Sequence, residues 1–320
     1  MKKVFLSLFV ALMATVAVQA QQIAVVSGSN TETYKTLADA ISKASGGSVI
    51  YLPGGGFPIS DDVKITKKLT IIGIGYNSEA DNADGRTQIS GKLWFNAGSD
   101  GSAVMGCYIN GDVNIGEAET PVNDILIKYC NLNSVQVKNS ACLGTEVNQN
   151  LIRSASHFGS ARALITNNIL HSLAWVVGGD ILNNIILSWN SINNAGKSLN
   201  QCSDCTIDYN VFIDPYDHHS GNNCQATGNM FRNRNWGDSC VNLGVVNWGD
   251  VFENNAGANP VSNYHFKEAY QQYEGIYGIY GGTGFSDGQL PPVPYISSKS
   301  VPTETDASGN LHIKITVNAK

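Results

Sequence analysis

Charged residues are scarce in this chain of 320 residues, because Lys, Arg, Asp and Glu together make up only 14% of it. The 20 basic residues are outnumbered by 26 acidic ones, which gives a net charge of −6 at pH 7. Proteins that bind nucleic acid rely on clustered Lys and Arg to neutralise phosphates. The charge balance therefore excludes nucleic acid as an expected partner.

Long apolar runs are also missing after the first 20 residues. The run Val4–Val18 follows Lys2 and Lys3 and ends near the small residue Ala20. This pattern predicts a signal peptide, residues 1–20, with cleavage after Ala20. A membrane anchor is the alternative, but the run is short for one and no second span follows. We expect a secreted or cell-surface protein whose mature chain has no membrane span and a net charge of −8, from 18 basic and 26 acidic residues.

An even set of cysteines is lacking as well, since the chain has seven and they cannot all pair internally. Cys205 and Cys224 each lie five residues before an Asn, Asn210 and Asn229, in a repeated pattern described next. They should therefore stack on adjacent repeats. Buried free thiols are the simplest interpretation, and Cys202-x-x-Cys205 has no second pair at the spacing of a zinc site.

A repeat of 16 to 26 residues fills residues 125–252. One polar residue marks each copy, and the markers are Asn131, Asn150, Asn168, Asn184, Asn210, Asn229 and Asp250. The residue after each marker is apolar, and the next is apolar in every copy but the first. These short flanks, rich in β-branched and aromatic residues, indicate strands. Asn and Asp tolerate the left-handed backbone of a sharp corner, so each copy is predicted to be a strand, an Asn corner and a strand.

Periods of this length are typical of stacked repeats. Because crossovers between parallel strands are almost always right-handed, the sequence predicts a right-handed parallel β-helix. Its coils should span about residues 48–258, with the Asn markers aligned at one corner. An inward ladder is expected from Leu170, Ile186, Phe212, Phe231 and Phe252.

Before the coils, residues 34–45 place Leu37, Ala40, Ile41 and Ala44 on one helical face, with Thr36 as an N-cap and Gly46-Gly47 as the end. Strands are then predicted over 48–52, 63–65 and 69–75. The stretch 36–75 resembles the opening of pectate-lyase-like β-helix proteins, in which a short helix caps the solenoid. The resemblance covers the architecture of residues 34–258, and the domain so defined is residues 21–258. With its signal peptide and its tail, the whole resembles secreted β-helix proteins of Bacteroidetes-type bacteria, a group without a common assigned activity.

The tail, residues 259–320, has a different composition. It is rich in Tyr and Gly up to residue 288, continues with Pro291-Pro292-Val293-Pro294, and ends with the alternating run Leu311–Val317. The alternation is typical of a half-buried strand. We expect this small β tail to be a C-terminal cap over the open end of the solenoid, since exposed strand edges there need cover; an attachment module is the alternative.

Two groups of residues are candidates for binding chemistry. The first is the turn Asp214-Pro215-Tyr216-Asp217-His218-His219, whose carboxylates, imidazoles and aromatic ring suit a metal or a sugar. If Asp214 and Asp217 converge, their oxygen ligands favour Ca²⁺. The 26-residue interval before Asn210 implies an inserted loop, about residues 188–204, that carries Trp189 beside this turn.

The second group is basic. Arg153, His171 and Arg232 each lie three residues after a marker, and Arg153 and His171 should be neighbours on adjacent coils. Solvated polar turn residues are the simpler interpretation of both groups.

The resemblance implies enzymes that act in an outer groove, either lyases with an acidic calcium site and a basic residue or hydrolases with clustered Asp. The family's Trp-Ile-Asp-His, Asn-Thr-Asp and Gly-His-Gly patterns are missing from this sequence. We therefore expect a secreted β-helix protein that binds an extracellular polysaccharide or a cell-surface component without catalysis. A polysaccharide lyase or glycoside hydrolase that acts on acidic polysaccharide is the alternative.

Overall fold

The chain folds as a parallel β-helix of about seven turns, with 44% strand and 8% helix. The computed structural model describes residues 22–61, 63–77, 85–156, 158, 162–187, 199–213, 219–220, 223–231, 240–244, 246–257, 259–285, 291, 294–302, 304–306 and 308–318. The predicted signal peptide, residues 1–20, lies outside this set. None of the described helices is long and apolar enough to cross a membrane.

Two long sheets form the walls of the solenoid. The first sheet has 11 strands, in chain order Ile23–Ser27, Asn30–Tyr34, Ser48–Leu52, Leu69–Gly73, Ala103–Met105, Leu126–Lys128, Glu146–Asn148, Leu164–Thr166, Asp180–Leu182, Thr206–Asp208 and Gln225–Thr227. All its pairings are parallel from Ser48–Leu52 onward. The hairpin Ile23–Ser27/Asn30–Tyr34 pairs antiparallel at the N-terminal edge. This hairpin covers an edge that the sequence pattern left open.

The second sheet has 13 strands, and its described pairings are all parallel. Its strands are Gly55–Pro58, Thr87–Ser90, Leu93–Phe95, Tyr108–Ile115, Asn131–Val137, Leu151–Ser156, Ile169–Ala174, Ile185–Ile186, Leu199–Asn200, Val211–Phe212, His219–Ser220, Met230–Phe231 and Val241–Asn242. The predicted strand at 63–65 is wrong, because only a single bridge, Ile65 to Phe95, forms there. The prediction of parallel stacked coils is confirmed.

The short N-terminal helix is confirmed over Leu37–Lys43, with Thr36 as its N-cap. The Thr36 hydroxyl oxygen accepts a hydrogen bond from the Asp39 backbone N–H at 3.1 Å. Leu37, Ala40 and Ile41 are buried in the same core as the first coils. The helix therefore contributes its apolar face to the solenoid interior.

Asn150, Asn168, Asn184, Asn210 and Asn229 stand in one column at the corner between the sheets, as predicted, and all five are fully buried. Each side-chain Nδ2 donates to the Oδ1 of the next Asn, at 3.0, 3.0, 2.9 and 3.1 Å along the column. Each Oδ1 also accepts a backbone N–H from the coil before, as Asn184 Oδ1 does from Asn168 at 2.9 Å. We call this column the asparagine ladder.

Three details of the predicted corner are wrong. Asn131 lies one position past the ladder, because it pairs with Leu151 and not with Asn150. Cys130 occupies the ladder position in that coil, and its backbone N–H donates to Asn150 Oδ1 at 2.9 Å. Asp250 lies in the short helix Trp248–Val251. The left-handed backbone belongs to the residue before each ladder position, at Tyr129, Gln149, Asn167, Asn183, Tyr209 and Gly228. The side chain of each ladder Asn therefore makes the buried hydrogen bonds, while the residue before it adopts the left-handed backbone of the turn.

The inward ladder is confirmed in part. Phe212 and Phe231 are fully buried and stacked, with ring centroids 4.9 Å apart and planes at 9°. Ile186 pairs with Phe212, and Leu170 pairs with Ile186. Phe252 is not part of this ladder, because its place opposite Phe231 is taken by Asn242. Phe252 instead packs with Trp248, Tyr264 and Phe266 outside the solenoid core.

Part of the tail packs along the side wall of the solenoid. It includes the strand Asn263–Phe266, which pairs antiparallel with Phe252–Asn254, and the 3-10 helices Glu268–Tyr273 and Gly278–Tyr280. Asn167 donates to the Ile279 and Gly281 carbonyls at 2.8 and 2.7 Å, and Gly278 N–H donates to the Tyr209 carbonyl. The segment 263–285 therefore covers the outer flank of several coils.

The last hairpin, Tyr295–Ser300 with Lys314–Asn318, pairs only with itself among the described strands. Ile313, Ile315 and Val317 are each more than half exposed. The expected half-buried strand is wrong here, because no described sheet or helix packs on its apolar face.

Removal of one ladder amide should be costly. In Asn184→Ala, buried backbone groups of two coils and the Asn168 amide lose partners, so we expect the free energy of unfolding to fall by about 3 kcal/mol. The matched control is Asn131→Ala, which removes an amide outside the ladder and should change stability by less than about 0.5 kcal/mol. Urea denaturation measures both; equal losses would contradict the role of the ladder.

Truncation of the inward aromatic column should cost more. We expect Phe231→Ala to lower the free energy of unfolding by about 3–5 kcal/mol, because it opens a cavity beside Phe212. Val301→Ala, at a position 56% exposed, is the control and should leave the midpoint of denaturation unchanged. A Phe231→Ala midpoint equal to that of the control would place the ring outside the core.

Candidate functional site

The outer face of the second sheet is set by the ladder. The second residue after each ladder position points inward, as Ile109, Leu132 and Ile152 do. The first and third residues after it therefore face outward, since side chains alternate along a strand. Along the early coils, the outward residues are Tyr108, Asn110, Asn131, Asn133 and Arg153.

These outward residues line a groove of about 210 Å³. Its walls combine an aromatic ring, three primary amides and a guanidinium group, and strand backbone forms its floor. Amides and guanidinium groups can donate to hydroxyl and carboxylate oxygens. An aromatic ring beside them gives an apolar face. The groove thus has the groups that hold a polar, ring-shaped ligand.

Two side chains beside the groove, Arg86 and Asp112, contact groove residues and hold them in place. The Arg86 guanidinium lies 4.3 Å from the centre of the Tyr108 ring and donates to Gln88 Oε1 at 2.8 Å. This cation–π contact fixes the ring at one end of the groove. At the other side, Asn133 Nδ2 donates to Asp112 Oδ1 at 3.0 Å. The amide of Asn133 is thereby oriented before any ligand arrives.

Arg153 and His171 lie side by side on adjacent coils, as expected from the sequence. Ile152 pairs with Leu170, and Ser154 with Ser172, so the two residues between them share one register position. Burial lowers the pKa of His171 below its usual 6.5, and the Arg153 guanidinium lowers it further. At neutral pH the pair is therefore one permanent cation beside a neutral imidazole.

The groove ends where the tail begins. After the polar Asn131, the outward position next to the ladder becomes apolar, at Leu151, Ile169, Ile185, Val211 and Met230. These five side chains are buried under the tail together with Tyr264, Phe266 and Ile279. Among the described residues, the covered column begins at Leu151, and the coils before it carry the polar outward residues Asn110, Asn131 and Asn133.

The other predicted site residues lie almost wholly outside the described part of the chain. This holds for Asp214, Tyr216, Asp217, His218, Arg232 and Trp189. His219 begins the strand His219–Ser220, which pairs with Leu199–Asn200, so this end of the predicted turn is a strand. The described residues contain no group of three or more His, Cys, Asp or Glu that could hold a metal ion. The Ca²⁺ site at Asp214 and Asp217 stays a prediction.

Sequence reasoning missed Tyr108, Asn110, Asn131 and Asn133 as groove residues. The signal was present in the repeat, because the column one position after the marker changes from polar to apolar. It was hidden by the one-residue error in register at Asn131, which placed this side chain at the buried corner.

No family model, curated protein or solved structure matches this chain. The site must therefore be interpreted from its own residues.

His171 offers a direct test of the Arg153 contact. We expect Arg153→Gln to raise the pKa of His171 towards 6.5, because the lowering by the guanidinium is removed while that by burial remains. Imidazole NMR signals followed through a pH titration measure this, with Lys92→Gln as the control at a distant exposed site. An unchanged pKa of His171 would contradict the contact between Arg153 and His171.

The same shift has a consequence for stability. A folded pKa below the unfolded value means that the unfolded chain takes up the proton more readily. The contribution of His171 to stability should be complete above pH 6.5 and decrease as the pH falls below it. In His171→Gln, urea midpoints between pH 7 and pH 5 should decline less than in the wild type; an equal decline would contradict the lowered pKa.

Proposed function

We propose that this chain is a secreted β-helix protein that binds an extracellular glycan in the groove of Tyr108, Asn110, Asn131, Asn133 and Arg153. The observation that carries the proposal is the meeting of one aromatic ring, three amides and one guanidinium group on an open, rigid face. Sugar rings present apolar faces edged with hydroxyl groups, and this set of groups complements both.

The repeating structure supports a polymeric ligand over a single sugar. Outward residues of consecutive coils are spaced by the distance between neighbouring strands, about 4.8 Å. Tyr108 and Asn131 therefore lie in register on adjacent coils, and Arg153 lines the groove from the next coil. A chain of sugar units laid along the groove would meet an aromatic or polar side chain of a new coil at each step.

Sequence features support the compartment and the affiliation. The predicted signal peptide, residues 1–20, supports export. The resemblance of residues 36–75 to pectate-lyase-like proteins supports a relationship to that superfamily, in which ligands occupy outer grooves. The groove described here lies on the outer face of one sheet, as that relationship implies.

Calorimetric titration with a panel of neutral and acidic polysaccharides tests the proposal. We expect at least one member to bind, and we expect Tyr108→Ala and Arg153→Ala each to weaken its affinity about tenfold, the loss of roughly 1.4 kcal/mol of contact energy. The control is Tyr51→Ala, because Tyr51 is an exposed tyrosine on the outer face of the first sheet, 41% accessible.

Two results would overturn the proposal. One is that no polysaccharide binds, and the other is that both groove variants bind as tightly as the Tyr51→Ala control. The same mixtures are assayed for unsaturated products and new reducing ends, in the presence of calcium. Their appearance would replace binding by the lyase or hydrolase alternative at this groove.

A further inference from the structure

Three of the seven cysteines meet in one part of the solenoid. Cys205 and Cys224 precede Thr206 and Gln225, which pair in the first sheet, so the two cysteines stack on adjacent coils as predicted. The Cys224 thiol donates to the Cys202 carbonyl at 3.3 Å. The Cys205 thiol donates to the Val176 and Ser203 carbonyls at 3.3 and 3.2 Å. None of the three is in a disulfide bond in this structure.

The stacked pair lies within reach of a covalent bond. In-register residues on neighbouring parallel strands have Cα atoms about 4.8 Å apart, and disulfides span Cα separations of about 4.4–6.8 Å. Since the two residues occupy the same register position on adjacent coils, rotation of their side chains would bring the sulfur atoms into bonding contact.

The pair also differs in access to solvent. Cys205 is buried, whereas Cys224 is only partly buried. A reagent from solution can therefore meet Cys224 first, and Cys205 stands behind it to complete an exchange. The other stacked pair, Cys107 and Cys130, sits in register at the ladder corner, but both of its thiols are fully buried. That pair has the spacing for a disulfide, but neither of its sulfur atoms is open to a reagent from solution.

The location gives the bond a structural purpose. The early strands of the second sheet are up to eight residues long, as in Tyr108–Ile115. The strands Ile185–Ile186, Val211–Phe212 and Met230–Phe231 have only two residues each. Among the described residues, these coils are also joined through Leu199–Asn200 and His219–Ser220. A disulfide would add a covalent link between two of them.

We propose that Cys205 and Cys224 are an oxidation site, which closes to a disulfide between adjacent coils when the protein meets a small-molecule disulfide such as oxidised glutathione. The Cys224 thiolate attacks the reagent, and one glutathione thiol leaves. The Cys205 thiolate then attacks the Cys224 sulfur of the mixed disulfide, and the second glutathione thiol leaves. The two protein thiols lose two electrons and two protons, and one glutathione disulfide is reduced to two thiols.

Burial sets the pace of this exchange. It raises the pKa of Cys205 to about 11. The thiolate is the reactive form, so the second step, the attack of Cys205 on the mixed disulfide, should be slow at neutral pH. Between pH 7 and pH 9 its rate should rise about tenfold per pH unit, in proportion to the thiolate fraction.

Peptide mapping of the folded full chain tests the proposal. The protein is incubated with oxidised glutathione at pH 8.5, its remaining thiols are alkylated in denaturant, and a protease that cleaves before Asp digests it without reduction. This cleavage places Cys202, Cys205 and Cys224 on separate peptides, residues 180–203, 204–207 and 217–237. We expect 204–207 linked to 217–237, two hydrogen masses below their sum, with Cys202 alkylated.

Variants and the second stacked pair provide the controls. Cys205→Ala and Cys224→Ala should each abolish the link, whereas Cys202→Ala should keep it. Alanine suits the column, which already holds Ala163 and Gly179. Cys107 and Cys130 should remain alkylated in the wild type. The proposal is overturned if all seven cysteines are still alkylated after incubation, or if Cys224 is linked to Cys202 or the Cys107–Cys130 bond forms in place of Cys205–Cys224.

Discussion

The hydrogen bond from one ladder Asn to the next is the interaction on which the solenoid depends. At this corner the chain leaves one sheet and enters the other, so backbone groups are turned towards the interior and need partners there. The amide supplies them in three coils at once: Asn168 Nδ2 bonds to the Val147 carbonyl behind, the Thr166 carbonyl of its own coil and Asn184 Oδ1 ahead. An apolar residue at this position would leave these buried groups unsatisfied.

The ladder also decides where the binding face can be. By fixing the corner, it fixes which of the following residues point inward and which point outward. The outward column is apolar from Leu151 to Met230, and the tail packs on it. It is polar at Asn131, and there the groove opens. Core, tail and groove are thus three consequences of one register, and a shift of a single residue would exchange the covered and the inward columns.

The repeat was sufficient to predict the class of fold and the stacking of the five ladder Asn, because a buried amide at a fixed corner is a strong and periodic sequence signal. It failed at the ends of the ladder. In one coil Cys130 occupies the ladder position instead of an Asn. Asp250 matches the sequence pattern but lies in a helix. Both outcomes depend on tertiary contacts, which an alignment of repeats does not contain. The tail could be recognised by its tyrosines, but its place on the side wall follows from long-range hydrogen bonds, such as those of Asn167 to residues 279 and 281. Of the predicted site residues, Arg153 and His171 lie on adjacent coils as predicted, because they follow the ladder at a constant distance; most of the others lie outside the described residues.

The way each ladder Asn bonds only to its immediate neighbours has a consequence for how such a chain can change over generations. Every inner member offers the same donor ahead and the same acceptor behind, whether its coil has 16 residues or 26. The Asn of a duplicated coil could therefore hydrogen-bond to the Asn residues on both sides of it. After deletion of a coil, the two Asn residues that flanked it could hydrogen-bond to each other. Selection can then lengthen, shorten or elaborate the solenoid one coil at a time, while a loop inserted between two corners alters the surface and leaves the ladder as it was.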